Sequence, residues 1–360
     1  MDSIQYSQAL DLSFATVQDI RRKKPPLTYA YSTYQFWNYF VRNGIQTVGD
    51  ELEGHLTLGS EGNARHSGWW DADTTVKKNI NQRYRLNWRH AESSMAWNLI
   101  ELSINAKPAR IYNIWEQQYN ACIRDMVDEM FVAMLTGPSS ANDTHSPYSV
   151  FSWLPLGTDG STGGWTGYSG NYNDGSTPGT EFDRGGLSCS ASVNSDFAGW
   201  FADHGGNLDD SLLTIMNDFH MTMNFQPPIV PEKLPVDKVN CAYYTTKNVI
   251  KKLNSFYAMS DDNMGYNRNS HYGTPSFYGV PLVWAGPLDT ANTSVYGTDP
   301  IVGINHNLLY PVMLRDWNFR IDKRPDKDRH TVMTLFVDTV YQIWCENPRH
   351  AGGLITQYPS

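Results

Sequence analysis

Histidines and carboxylates are the residues of this sequence that could perform acid–base chemistry or bind a metal. His55 and His66 lie in one glycine-containing segment and His220 lies in the motif DFHMTM, but no histidine stands at metal-ligand spacing from another histidine or a cysteine. The carboxylates that could form acid–base pairs are Asp209 with Asp210, Asp261 with Asp262, and Asp125 with Asp128 and Glu129. Neighbouring carboxylates on a helix point in different directions, and at a helix start they more often cap the chain.

Common catalytic motifs are absent from the sequence. It contains no GxGxxG, GxxxxGK[ST], HExxH or GxSxG, which mark frequent nucleotide, zinc and serine-nucleophile sites. The four cysteines lie far apart and are expected to be reduced: Cys122, Cys189, Cys241 and Cys345. We therefore predict that the chain is not an enzyme, with no catalytic residue, no metal and no cofactor.

The composition is typical of a protein that covers much of its surface with partners. Charged residues make up 18% of the chain, below the roughly 25% of typical soluble domains, and aromatic residues make up 13%. Protein interfaces favour Tyr and Trp and avoid Lys and Glu. The net charge of -9 argues against broad attraction to nucleic acid or anionic lipid. We expect no secretion signal and no membrane span.

One long amphipathic helix is predicted for IYNIWEQQYNACIRDMVDEMFVAMLTG, Ile111–Gly137. Met126, Met130 and Met134 continue a stripe at helical spacing, and the glycine is a typical C-terminal stop. Such a stripe usually belongs to a core, so we expect a sheet beneath the helix. The natural partner is the closing segment HTVMTLFVDTVYQIWC, which is apolar on both faces at several positions, as a covered central strand would be.

The most regular strand pattern is INQRYRLNWRH, which follows a glycine-marked tip in HLTLGSEGNARHSGWWDADTTV. Its alternating apolar and cationic faces consist of Tyr84, Leu86 and Trp88, and of Arg83, Arg85 and Arg89. A long two-stranded ribbon is marginal in water by itself, so its apolar face should lie on other protein. The less specific alternative is that the ribbon belongs to an ordinary sheet of the same subunit.

The remaining segments mix helices and strands, which predicts an α+β fold. Leu10, Phe14 and Val17 stand at helical spacing before a basic run, so this short helix either docks on a partner or is a solvated end. After a long Gly- and Ser-rich segment, two helices are predicted in NLDDSLLTIMNDFHMTMNF and TKNVIKKLNSF, and strands in VNCAYYTT, FYGVPLVWAGPL and PIVGINHNLLYPV.

Three passages carry a resemblance to a known family. In NWRHAESSMAWNLIELSINAKPARIYNIWEQQYNACIRDMVDEMFVAML, a strand with Glu101 and Asn105 leads into a long helix that stops at Gly137. FYGVPLVWAGPLDT followed by DPIVGINHNLLYPVM is similar to the family's axial-domain strand and return, and FVDTVYQIWCENPRHAGGLI is similar to its closing strand and tail through Asn347, Arg349 and Gly352. In this order the elements resemble the major capsid protein of tailed double-stranded DNA phages, with the Hong Kong 97-like fold.

Two features depart from the family pattern. The tail has Pro348 and His350 around a single arginine where many relatives have consecutive basic residues, and residues 157–179 have no counterpart. The resemblance implies an N-terminal arm (1–45), an extended E-loop (46–90), a peripheral domain with a spine helix (91–137), an axial domain (138–310) and peripheral return strands (311–360).

The resemblance also implies a function and partners. The chain would be a structural protein that self-assembles into hexamers and pentamers of an icosahedral shell in the virion. The shell would form in the host bacterial cytoplasm, enclose double-stranded DNA without sequence-specific binding, and involve no membrane. The other expected partners are a portal, a decoration protein and a separate scaffolding protein, the last because no long charged helical segment precedes the arm.

The implied site residues lie in the ribbon and the arm. Inter-subunit contacts are expected at Arg83, Tyr84, Arg85, Leu86, Trp88 and Arg89, and at Trp69 and Trp70 near the tip. The scaffold is expected to dock on Leu10, Phe14 and Val17. Some relatives join Lys to Asn covalently with the help of a Glu, and Lys77 and Lys78 are the candidates here.

Two alternatives stay open on sequence alone. A carbohydrate-binding or glycoside-cleaving protein would explain the Trp and Tyr content and the glycine loops, and it would be a soluble monomer. A phage tail or baseplate structural protein would also be rich in loops and aromatic residues, but it would form rings or tubes.

Overall fold

The structure is a computed structural model. It describes residues 44–57, 63–70, 77, 81–100, 114–138, 143–154, 156, 165–167, 172–173, 181–182, 185, 187, 199–223, 241–260, 276–290, 296–326, 329 and 331–357. The predicted helix with Leu10, Phe14 and Val17 lies outside the described residues, as does Lys78.

The described elements include both helices and strands. The helices are α1 (Ile114–Thr136), α2 (Val150–Trp153), α3 (Asp210–Met223), α4 (Lys247–Ser260) and α5 (Pro348–Ala351), with a 3-10 turn at Gly286–Asp289. The first strands are β1 (Ile45–Thr47), β2 (Glu51–Thr57), β3 (Asn81–Asn87), β4 (Arg89–Asn98), β5 (Trp165–Gly167), β6 (Tyr172–Asn173), β7 (Glu181–Phe182) and β8 (Trp200–Asp203). The others are β9 (Cys241–Thr245), β10 (Ser276–Phe277), β11 (Val280–Trp284), β12 (Thr298–Asn305), β13 (Leu309–Leu314), β14 (Arg320–Pro325), β15 (Val332–Cys345) and β16 (Gly352–Gln357).

The described residues form two compact units. The first unit contains those of 90–131 and 315–340, and the second contains those of 44–89, 132–314 and 341–357. In the first unit β14 pairs antiparallel with β15, from Arg320 opposite Asp338 to Pro325 opposite Met333, and β4 also pairs with β15. Leu335 and Val337 of β15 are fully buried there.

Helix α1 confirms the predicted long helix over the residues that the structure describes. Met126 and Met130 are buried, and the Cys122 thiol lies 3.2 Å from the Ser93 hydroxyl of β4. The stripe is therefore core, and a strand lies against it. The helix stops at Gly137, whose φ of 68° lies in the left-handed region that glycine enters without steric cost, and whose N–H donates to the Ala133 carbonyl. Direct contact between α1 and β15 stays a prediction.

The second unit is built on a seven-stranded mixed sheet in the order β10-β11-β9-β12-β16-β8-β5. β9 is buried at all five positions, as its apolar run predicts. Helix α3 covers one face of this sheet, with Leu212, Ile215, Met216 and Phe219 buried as their spacing predicts. Gly303 on β12 leaves room for the Phe219 ring, because a Cβ there would lie 2.4 Å from Phe219 Cζ.

Helix α4, predicted from TKNVIKKLNSF, begins after a capping residue. The Thr246 hydroxyl accepts from the Val249 N–H and donates to Asp299, which holds the helix start at the beginning of β12. The second unit also contains β13, which pairs antiparallel with Tyr341–Cys345 of β15 and parallel with β1.

The α+β prediction is confirmed, and the closing strand extends over the 14 residues of β15. The last strand, β16, pairs with β12 and β8, so the end of the chain adds to the sheet of the segment predicted as axial. The domain boundaries proposed from the sequence stay a prediction.

Among the described helices, none combines the length and the apolar character that crossing a membrane requires.

Candidate functional site

The ribbon formed by β2 and β3 is the candidate site. Its strands pair antiparallel from Glu51 opposite Asn87 to Thr57 opposite Asn81. The predicted alternation is present, because Tyr84 and Leu86 are buried while Arg83 and Arg85 are exposed. One face of β3 is thus apolar and covered, and the other is cationic and open to solvent.

Tyr84 holds the ribbon to the rest of the second unit. Its side chain is 1% exposed, and its hydroxyl donates to the Cys345 carbonyl at 2.7 Å. The ring stacks on Trp344 with centroids 4.6 Å apart and meets the edge of Trp153 at 6.1 Å. Burial raises the pKa of Tyr84, so the phenol stays neutral and keeps its donor.

The burial of Tyr84 and Leu86 corrects the prediction that both side chains contact another subunit. Each is 1% exposed in this chain alone, so the apolar face of β3 is covered by its own polypeptide. The apolar face of β3 is covered, as expected, but the cover comes from the same chain and not from a neighbouring subunit. Gly54 is the signal that sequence reasoning missed. It lies opposite Tyr84, and a Cβ there would be 2.2 Å from Tyr84 Cε1, so the ring crosses β2 where only glycine leaves space.

Arg83 and Arg85 have acidic partners on the ribbon itself. Arg83 Nη1 lies 3.4 Å from Glu53 Oε1, and Arg85 Nη1 lies 3.2 Å from Glu51 Oε1. The two arginine side chains are 62% and 50% exposed, so each pair contributes little to stability. Both guanidinium groups remain accessible, and their contact with a neighbouring subunit stays a prediction.

Trp88 and Arg89, at the base of the ribbon, bind carbonyls of their own chain. Trp88 Nε1 donates to the Gly49 carbonyl at 2.9 Å. Arg89 donates to the Ser146 carbonyl at 3.1 Å and to the Asp143 carbonyl at 3.2 Å. Arg89 is half-buried and fastens the loop after α1, and its contact with another subunit stays a prediction.

Trp69 and Trp70 lie between the two ribbon strands and are the most exposed aromatic side chains described. They are 100% and 98% exposed. Tryptophan is enriched at the centres of protein interfaces, and each of these exposed rings is apolar surface that water solvates poorly. Lys77, in the same connection, is also exposed, as a reacting amine would need to be.

Asp209 and His220, two of the acidic and histidine candidates, make local hydrogen bonds within the fold. Asp209 accepts from the Ser211 N–H and hydroxyl at the start of α3, and these hydrogen bonds lower the pKa of its carboxyl. His220 Nδ1 lies 3.0 Å from the Tyr243 hydroxyl, and burial lowers the pKa of His220. His306, at the end of β12, is 1% exposed and shares a 2.7 Å hydrogen bond with Tyr244. Asp261 and Asp262 lie outside the described residues.

Comparisons with known proteins find the fold in phage capsids. No family model matches the sequence, and no curated protein matches it. The capsid asymmetric unit of cyanophage A-1(L) matches with a TM-score of 0.60 and 12% identity, over 93% of this chain and 96% of that chain. A capsid of a native GTA particle matches at 0.55 and 11%, over 96% and 99%. The capsid of Myoviridae phage XM1 matches at 0.53 and 12%, over 95% and 97%.

These matches span nearly the whole of both chains, so the shared architecture is that of the complete chain and not of one motif. At so low a sequence identity, the likeness shows a shared fold and nothing more. The fold that the resemblance implied is thereby confirmed: the chain has the Hong Kong 97-like fold of tailed-phage capsid proteins.

Proposed function

We propose that the chain is a major capsid protein that self-assembles into hexamers and pentamers of an icosahedral shell around double-stranded DNA. The observation that carries the proposal is the whole-chain likeness to the cyanophage A-1(L) capsid asymmetric unit, which covers 93% of this chain and 96% of that chain. An enzyme built on the same fold would need a site added to it, and the ribbon offers contact surface instead. We infer a structural role, without catalysis.

The strands of the ribbon and the connection between them would have different roles in assembly. The middle of the ribbon is fixed by the Tyr84 hydrogen bond and by the ring contact with Trp344, so the strands keep one direction. Trp69 and Trp70 lie in the connection between the two strands, fully exposed. Fixed strands lower the entropy that a flexible loop would lose on binding, and the exposed rings supply the apolar area. We propose that these two rings pack on a neighbouring copy.

The charge of the chain suits a container for DNA. Tight binding to a duplex requires many Lys or Arg contacts that release counterions, and this chain carries 28 basic against 37 acidic residues. A shell of such subunits would enclose the duplex without holding it to particular sequences. Location in the virion, assembly in the host bacterial cytoplasm, and a scaffolding protein, a portal and a decoration protein as partners all follow from this proposal.

The decisive experiment is expression of the full chain, alone and with its phage's scaffolding protein, followed by size-exclusion chromatography and negative-stain microscopy. The proposal predicts closed shells, or hexameric and pentameric rings that close into shells when scaffold is present. Open tubes would favour a tail or baseplate protein. A monodisperse monomer at high concentration under both conditions would overturn the proposal.

A covalent link between subunits through Lys77 or Lys78 is a separate proposal that rests on the resemblance. It would form an amide between the lysine amine and an asparagine side chain, with loss of ammonia. Boiling assembled shells in detergent tests it directly. A ladder above the monomer supports the link, and a single band near 40.8 kDa excludes it.

A further inference from the structure

We propose that His90, Glu92 and Asp338 form a binding site for a divalent transition metal, with Zn²⁺ as the ion that suits them best. One ligand atom from each of the three side chains lies within 4.8 Å of the others. All three residues belong to the first unit. The inference does not depend on the proposed capsid function.

Two paired strands bring the three residues together. His90 and Glu92 are two positions apart on β4, so they project from the same face of the strand. Asp338 lies on β15, the strand with which β4 pairs. Because all three positions belong to hydrogen-bonded strands, the backbone sets their separation, and sites on such elements are held more closely than sites on loops.

The distance between His90 and Asp338 fits one shared ion. His90 Nε2 lies 3.3 Å from Asp338 Oδ1. Two ligands of a tetrahedral Zn²⁺ at about 2.0–2.1 Å from the metal lie roughly 3.3 Å apart, so these atoms already have the separation of ligands on one ion. Glu92 is exposed, so its carboxylate is free to turn inward without disturbing the core. Three protein ligands leave the fourth position for water.

A simple ion pair between His90 and Asp338 is the competing interpretation. Such a pair has no need of Glu92, whereas a metal site uses it as the third ligand. The surroundings fix the imidazole on one side: the edge of Trp317 meets the His90 ring at 6.3 Å, and the Arg320 guanidinium lies 4.5 Å over Trp317. Arg320 is the cation opposite Asp338 on β14, and its stacking on Trp317 directs its charge toward that ring.

The ligand types select among ions. An imidazole ligand favours first-row transition metals, whereas Mg²⁺ and Ca²⁺ prefer oxygen ligands throughout. Two carboxylates and a neutral imidazole also neutralise a dication. Sequence reasoning predicted no metal because it compared neighbouring residues, and the third ligand lies on a strand far along the chain.

The test is Zn²⁺ binding to the metal-free full chain at neutral pH, measured by equilibrium dialysis and calorimetry. We expect one Zn²⁺ per chain, and Co²⁺ in its place should give visible absorption bands with nitrogen and oxygen ligands. Mutation of a residue that only supports a metal ligand typically costs about 10- to 100-fold in metal affinity. His90→Asn and Glu92→Gln each remove a ligand, so each should weaken Zn²⁺ binding by at least that much. Both positions are exposed, so both variants should fold normally, which circular dichroism checks.

His55→Asn is the matched control. His55 Nε2 lies 3.9 Å from Glu53 Oε1 on the ribbon. This histidine is therefore close to one carboxylate, and that carboxylate also pairs with Arg83. This variant should leave Zn²⁺ affinity unchanged, and Mg²⁺ should fail to compete. The proposal is overturned if the chain binds no Zn²⁺ stoichiometrically. It is equally overturned if His90→Asn and Glu92→Gln bind Zn²⁺ as the unchanged chain does.

Discussion

At the scale of single residues, the Tyr84 hydroxyl is the group whose loss most directly tests how the ribbon is held. Tyr84→Phe keeps the ring on Trp344 and removes the hydrogen bond to the Cys345 carbonyl. We expect the free energy of unfolding to fall by about 1 kcal/mol, the net contribution of one buried hydrogen bond. Urea unfolding of unassembled chain measures it. Tyr278→Phe, at a side chain 62% exposed, should stay within about 0.5 kcal/mol of the unchanged protein. Equal losses in both variants would contradict the assigned role of Tyr84.

His306 makes stability depend on pH. Burial lowers its pKa from 6.5 to about 4, so the folded chain keeps the imidazole neutral while the unfolded chain binds a proton below about pH 6.5. The unfolded state therefore binds more protons in this window, and stability falls as the pH drops from about 6.5 to about 4, by roughly 3 kcal/mol from this residue.

His306→Gln should flatten that pH dependence, since glutamine can still bond the Tyr244 hydroxyl but does not titrate. Urea midpoints at neutral pH and near pH 4.5 give the measurement. The flattening will be partial, because burial also lowers the pKa values of His204, His220 and His350. His66→Gln, at an exposed histidine, is the control substitution. An unchanged slope in His306→Gln would exclude His306 as a source of the acid sensitivity.

At the scale of elements, Gly54 decides whether the ribbon can lie where it does. Gly54→Ala places a Cβ 2.2 Å from Tyr84 Cε1, so the ring or the strand must move. Overpacking of this kind costs about 1–3 kcal/mol. Hydrogen exchange should show faster exchange of the β3 amides, and urea unfolding should show the loss. His55→Ala, at the adjacent exposed position of β2, should change neither quantity. If Gly54→Ala left β3 exchange unaltered, Tyr84 would not be what fastens the ribbon.

Local patterns predicted the elements better than their partners. The end of α1 at Gly137 and the alternation along β3 follow from helical spacing and from period-two burial, which are properties of adjacent residues. What covers Tyr84 is set by Trp344 and Cys345, far along the chain, and periodicity carries no information about that. A lone glycine inside a strand pattern was the available local signal of close approach.

At the scale of the whole molecule, the order of elements was more informative than any motif. The cyanophage A-1(L) capsid chain shares this fold at a TM-score of 0.60 although only 12% of its residues are identical. The fold therefore depends on the pattern of apolar and polar positions, because many side chains of suitable size and polarity can fill the same positions. The site was harder to predict, because a surface for assembly has no fixed residue spacing. Trp69 and Trp70 were proposed as contacts from the resemblance, and the structure adds that both side chains are exposed.

Trp69 and Trp70 give a prediction in which an effect on assembly can be told apart from an effect on folding. Trp69→Ser with Trp70→Ser removes two fully exposed rings, so the unassembled chain should unfold at the same urea concentration as before, within about 0.5 kcal/mol in stability. Interface tryptophans often contribute at least 2 kcal/mol each, so the subunit concentration needed for assembly should rise by at least about tenfold.

Light scattering during assembly and microscopy of the products measure that threshold. Trp69→Phe with Trp70→Phe is the matched control, because phenylalanine keeps an apolar ring at each position and should retain most of the assembly. The serine pair tests whether rings at these positions are needed, and the phenylalanine pair tests whether any ring suffices. Shells that form from the serine variant at the original threshold would show that the neighbouring copy is held elsewhere. The remaining candidates on the ribbon would then be the exposed guanidinium groups of Arg83 and Arg85.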